Sequence, residues 1–152
     1  MQEAAVNIVV GLVIATVSSL ITVQLSFRRF RLERLWDRKA MAYERVIEAL
    51  QHSKAFSNAH ITASIFRTEL SEEKDQDLRQ RAKHARLEIE RATDMGSFLL
   101  SDRAKERLLR YAREVQAAAD THDWFEYLTA DLAATKSCLS DLIKIAKGEL
   151  RT

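Results

Sequence analysis

Between Ala4 and Phe27 the chain reads AAVNIVVGLVIATVSSLITVQLSF and carries no Asp, Glu, Lys, Arg or Pro. About 20 apolar residues in a helix suffice to cross the hydrocarbon core of a bilayer, where a helix satisfies its own backbone polar groups. Helices buried in a water-facing core rarely stay uncharged over such a length, so the run predicts a transmembrane helix. A cleaved signal peptide fits less well. The one early charge is acidic Glu3, the basic residues come after the run, and no A-x-A-like site closes it.

Arg28, Arg29, Arg31, Arg34, Arg38 and Lys39 follow at once, offset by Glu33 and Asp37, while the N-terminal flank holds no Lys or Arg. The positive-inside rule then places the N-terminus outside and the rest of the chain in the cytoplasm. The same six residues form a candidate juxtamembrane site for anionic lipid headgroups, at about 1 kcal/mol each near the surface. Phe27, Phe30 and Trp36 are candidate interfacial anchors. Within the run, Gly11, Ala15 and Ser19 recur every four residues, and Asn7, Ser18 and Thr22 extend the stripe. Small residues let helices approach closely, polar ones hydrogen-bond across the contact, and an amide in hydrocarbon needs a partner. The stripe Asn7, Gly11, Ala15, Ser18, Ser19, Thr22 therefore predicts a homo-oligomer, with either a plain anchor or a pore as the outcome.

The chain has no proline and three glycines, so little interrupts helix after the run. The fold class read from this is all-α: an N-terminal transmembrane helix (residues 1–28) continuing into a cytoplasmic antiparallel four-helix bundle (residues 29–152). Trp36, Ala40, Tyr43, Ile47 and Leu50 make the first stripe, and Phe56, Ala59, Ala63 and Phe66 resume it. That element reaches Thr68 as one rod or kinks near Ser57. Ser71 caps a second helix with the stripe Leu78, Ala82, Ala85, Ile89, Ala92, ending near Met95 with Gly96 as C-cap. Ser101 caps a third, carrying Ala104, Leu108, Tyr111, Val115 and Ala118. Asp123 caps a fourth, carrying Phe125, Leu128, Leu132, Thr135, Leu139, Leu142 and Ala146, with Gly148 as its end. Short connections imply antiparallel neighbours.

Motifs for catalysis or metal binding are missing. His52, His60, His84 and His122 form no HExxH or tight His/Cys/acid cluster and read as solvated or capping residues. Inward Glu-x-x-His pairs, which a di-iron bundle needs, do not occur. Cys138 is the one cysteine and sits among apolar residues, so a buried thiol is expected. With no G-x-S-x-G, P-loop or G-x-G-x-x-G, the chain reads as a non-enzyme without metal or cofactor. Arg103, Lys105, Arg107, Arg110 and Arg113 crowd the third helix and, with the Arg- and Lys-rich second helix, form a basic surface. Arg103, Arg107 and Arg110 are the candidate residues there for an anionic ligand such as a nucleotide signal, although interleaved acids also fit a solvated face. No helix-turn-helix spacing points to duplex DNA. In HDWFEYL, His122 to Leu128, one helix stripe cannot bury Trp124, Phe125 and Tyr127 together. They form either a surface for a soluble protein partner or a bundle-end cap against the GSFLL segment.

LWDRKAMAYERVIEAL (35–50), DMGSFLLSDRAKERL (94–108) and WFEYLTADLAATKSCLSDLIKIAK (124–147) together resemble a widespread set of small bacterial single-pass membrane proteins with a cytosolic helical domain. The resemblance implies that Trp36, Arg38, Lys39, Ala42 and Tyr43 set how the bundle docks under the membrane, and it names no catalytic residue. The layout also looks like that of membrane effectors in bacterial antiphage systems, by architecture alone. The expectation is thus an oligomeric inner-membrane effector whose cytoplasmic bundle senses a trigger and perturbs the membrane. The alternatives are a membrane-tethered scaffold that recruits a soluble partner and a nucleotide-binding sensor.

Overall fold

The computed structural model describes the backbone of residues 2–95 and 99–151, and the side chains of residues 19, 23–24, 26–27, 29–94 and 99–151. Four α-helices follow in order: α1 Gln2–Phe66, α2 Glu72–Met95, α3 Asp102–Ala119 and α4 Trp124–Leu150. The described residues contain no strand. Contacts divide the chain into two compact units, Met1–Asp37 and Arg38–Thr152.

In the first unit, Arg29 pairs with Glu33 one turn on, at 3.0 Å, and the Arg34 guanidinium lies 4.6 Å above the Phe30 ring. Among the described residues no helix is long and apolar enough to cross a membrane. The side chains of Asn7, Gly11, Ala15, Ser18, Thr22 and Arg28 lie outside the described residues, as does Gly96, the expected C-cap of α2.

The second unit is an up-down-up-down bundle, and side-chain pairs set its register. Tyr43 meets Glu149 and Ser57 meets Asp131, so α1 and α4 run antiparallel. Arg107 meets Asp141 and Tyr111 meets Thr135, so α3 and α4 do too. His60 of α1 stands beside Asp75 of α2. The Ser101 side chain accepts from the Ala104 N–H and Asp123 from the Glu126 N–H, as the capping pattern predicts. The apolar core gathers Tyr43, Val46, Leu50, Leu108, Leu139 and Leu142, with Ala85 and Ile89 from α2.

Several local expectations change. The first helix runs unbroken through Ser57, as the rod reading expects, and ends just short of Thr68. It stops at Phe66 because Arg67 takes a left-handed conformation (φ 52°). The Thr68 N–H then bonds the Ala63 carbonyl and the Arg67 N–H the Ser64 carbonyl, a Schellman ending without glycine. The last helix runs through Gly148 to Leu150, and a Cβ at that glycine would meet nothing within 4 Å. Trp36, Phe66 and Phe125, placed on core stripes by periodicity, are exposed, while Val46 and Ala49 are buried instead.

Candidate functional site

The bundle is filled at one end and open at the other. Ser101, Glu149, Tyr43 and Lys39 close the filled end. The Tyr43 hydroxyl donates to Glu149 at 2.8 Å, and the Lys39 ammonium reaches the same carboxylate at 2.8 Å. Burial alone would push the Glu149 carboxyl up. Hydrogen bonds from Lys39, Ser101 and Tyr43 outweigh it and hold the carboxyl below its usual range. Lys39 is thus engaged in joining α1 to the end of α4.

Further along, α1, α3 and α4 face each other through polar side chains. Ser57 Oγ lies 2.5 Å from Asp131 Oδ2 and 3.3 Å from the Ser53 carbonyl, and Tyr111 Oη lies 3.2 Å from Thr135 Oγ1. One serine proton cannot serve both acceptors. It goes to an ionised Asp131; a protonated Asp131 donates to Ser57, whose hydroxyl is then free for Ser53. Burial raises the Asp131 carboxyl, against the lowering effects of the Ser57 bond and the Arg86 charge. Burial also pushes the Tyr111 hydroxyl up to about 12.

Above this layer a groove of about 530 Å³ opens, within the size range of small-molecule sites. Asp131, Tyr111 and Ser53 lie at its inner side, and Arg79, Lys83 and Arg86 of α2 line one wall. Small residues leave it open: Ala82 from α2 and Ala112 and Ala119 from α3 stand where larger side chains would fill the space. Trp124 and Tyr127 stack at its rim, ring centroids 5.3 Å apart and 25° from parallel. Trp124 also meets Phe56 at 6.4 Å and His60 at 6.0 Å, both close to perpendicular. Trp124 and Tyr127 therefore act together, whereas Phe125 turns out to solvent. Residues 96–98 of the GSFLL segment, the alternative partner of these rings, lie outside the described residues.

His60 corrects the expectation of a solvated histidine. It is nearly buried, with Nε2 3.1 Å from Asp75 Oδ1, at an angle that leaves both atoms without a hydrogen bond. Burial lowers its affinity for a proton, Asp75 works against that, and Arg79 adds to it.

The residues singled out on α3 divide. Arg107 is buried and gives its guanidinium to Asp141 at 2.9 Å, Ser137 at 3.0 Å and Glu114 at 3.4 Å. It knits α3 to α4 and is closed to a ligand. Arg103 and Arg110 line a shallow cleft with Glu106, Asp141, Lys144 and Glu149, where carboxylates oppose the cations. The Cys138 thiol is buried and pushed up to about 12 by that burial, so it is no nucleophile. Among the described residues no three His, Cys, Asp or Glu side chains converge on a metal position.

Sequence reading missed the groove because Arg79, Lys83 and Arg86 look like one solvated helix face. A signal was present in α4: Trp124, Tyr127 and Asp131 follow at 3-4 spacing, and Asp131 is a charged residue on the buried seam with Leu128, Thr135 and Cys138. No protein family, curated protein or solved structure matches the chain, so the resemblance stated above rests on its own residues.

Proposed function

We propose that this chain is a single-pass bacterial inner-membrane effector without enzymatic activity. Residues 1–28 cross the bilayer with the N-terminus outside and self-associate through the stripe Asn7 to Thr22. The bundle senses a trigger in the cytoplasm, and binding alters the membrane assembly. The observation that carries this reading is the uncharged run Ala4–Phe27 closed by arginines, in a chain whose bundle has an open, charged groove at one end. The test is expression of the full chain with membrane potential and dye exclusion as readouts. The expected result is a carbonate-resistant membrane protein that depolarises cells, with depolarisation lost in Gly11→Ile or Ala15→Ile. Intact potential and dye exclusion under every inducing condition would overturn it.

A membrane-tethered scaffold is the second reading, favoured by Ile65, Phe66 and Phe125, apolar side chains left exposed near the open end. Replacing residues 4–27 with a polyleucine segment separates the two. A scaffold keeps its function after the swap and an effector loses it.

A further inference from the structure

We propose that the groove between α2 and the α3–α4 pair binds a phosphorylated planar-ring compound of the nucleotide class, with its phosphate on Lys83 and Arg86 and its ring on Trp124. This inference rests on the reading of the bundle as the sensing part of the protein and names what it senses.

Lys83 and Arg86 set where an anionic group would sit. The groove carries Arg79, Lys83 and Arg86 against Glu90 and Asp131. Arg79 is already neutralised by Asp75 at 2.8 Å. Lys83 and Arg86 make no ion pair among the described residues, although the Arg86 charge acts on the Asp131 carboxyl and acids pair other arginines of α2, Arg81 with Asp77 and Arg91 with Glu88. Lys83 and Arg86 are three residues apart and so share one face of the helix, close enough for both to reach a single doubly charged group. That arrangement suits a phosphate better than a carboxylate.

The aromatic rim sets the shape. Tyr127 covers one face of the Trp124 indole, yet Trp124 remains 48% exposed, which leaves ring surface at the groove for a flat partner. The floor sets the polarity of the remainder. Asp131 uses Oδ2 on Ser57, and its Oδ1 makes no hydrogen bond among the described residues. It offers an acceptor to a sugar hydroxyl or a ring N–H while holding the anionic group outward, on α2. This division of contacts differs from the α3 cleft, where Asp141 and Glu114 already occupy Arg107.

The test uses the full chain in detergent micelles with Trp36→Phe, so that Trp124 is the one remaining tryptophan and its fluorescence reports the groove. The probes are AMP, adenosine and inorganic phosphate. The expected result is saturable quenching by AMP, with adenosine and phosphate each weaker by at least about tenfold. Lys83→Gln with Arg86→Gln is expected to weaken AMP by on the order of tenfold and leave adenosine unchanged. Both positions are exposed, so the fold is expected to survive; an unchanged circular dichroism melt checks this. Asp131→Asn weakens AMP and adenosine alike. No saturable quenching at millimolar AMP overturns the proposal. So does equal quenching by phosphate alone, or an AMP affinity indifferent to the Lys83 and Arg86 changes. If AMP fails but the chain still resists carbonate extraction and depolarises cells, the ligand assignment alone falls. If AMP binds and the chain leaves the membrane on carbonate washing, the effector reading falls and the site stands.

Discussion

The two ends of the bundle are built from the same four helices and solve different problems. At the filled end Leu50, Leu108 and Leu142 are almost completely buried, and the Lys39–Glu149–Tyr43–Ser101 cluster ties α1 to α4 and to the cap of α3. At the open end buried Ala118 and Leu128 stand outside the main apolar cluster, and Asp131, Ser57, Tyr111 and Thr135 occupy positions where a bundle usually places leucine. Alanines there leave the space between the helices unfilled. The larger apolar cluster lies at one end, and the other keeps polar groups that a ligand can use. A protein selected for stability alone would fill both ends.

The largest test of this contrast is truncation. Leu108→Ala or Leu142→Ala removes a fully enclosed side chain and leaves a cavity, at a cost of about 2–5 kcal/mol. Val115→Ala, on the groove wall, removes methyls that already border open space and costs about 1 kcal/mol. Urea midpoints on the full chain measure both. Equal losses would mean that the open end is as tightly organised as the filled one.

Enlargement runs the comparison the other way. Ala104 is fully buried at the filled end, so Ala104→Leu has no room and destabilises by about 1–3 kcal/mol. Ala112 is exposed on the groove, so Ala112→Leu is expected to change stability by less than about 0.5 kcal/mol. It should also reduce AMP quenching of Trp124, because it takes up the space of the ring. A large destabilisation by Ala112→Leu would show that the groove closes in solution.

The buried acid gives a pH signature. Folding raises the Asp131 pKa above its ordinary 3.8. Its contribution is therefore most favourable below that value and is lost as pH rises through the folded pKa. Asp131→Asn removes the buried charge and still accepts from Ser57. It is expected to stabilise the protein by on the order of 1 kcal/mol at pH 7, with the gain shrinking toward pH 4. A stability difference that grows on acidification would place the carboxylate in a favourable ion pair and remove it from the groove floor.

Much of the filled end could be read in advance, and little of the open one. Tyr43, Leu50, Leu108, Leu139 and Leu142 repeat at helical spacing, and Ser101 precedes its helix with a side chain that can cap only there, as Asp123 does at the open end. Periodicity works at that end because burial and hydrophobicity coincide. They part at Arg107, whose guanidinium is buried because three acceptors on α3 and α4 surround it, and at Asp131. They part again at Trp36, Phe66 and Phe125, which are apolar and exposed. The groove itself depends on how far α2 stands from α1 and α4. That distance follows from which alanines face each other across helices, and a pattern read along one helix does not contain it.

Arg67 supplies the finest test, because it lies at the open end and its effect is local. Its backbone is left-handed, where an L side chain costs about 1–2 kcal/mol and glycine costs nothing comparable. The position persists because Thr68 and Arg67 must turn back to bond Ala63 and Ser64. Arg67→Gly relieves the strain, keeps both bonds and gives part of the gain back through a more flexible unfolded chain. The net expectation is a gain of about 0.5–1 kcal/mol in urea midpoint, with AMP quenching of Trp124 unchanged, since Arg67 does not line the groove. A stabilised Arg67→Gly that also loses AMP binding would mean that the α1–α2 turn controls the groove. The two ends would then differ in mobility as well as in how they are filled.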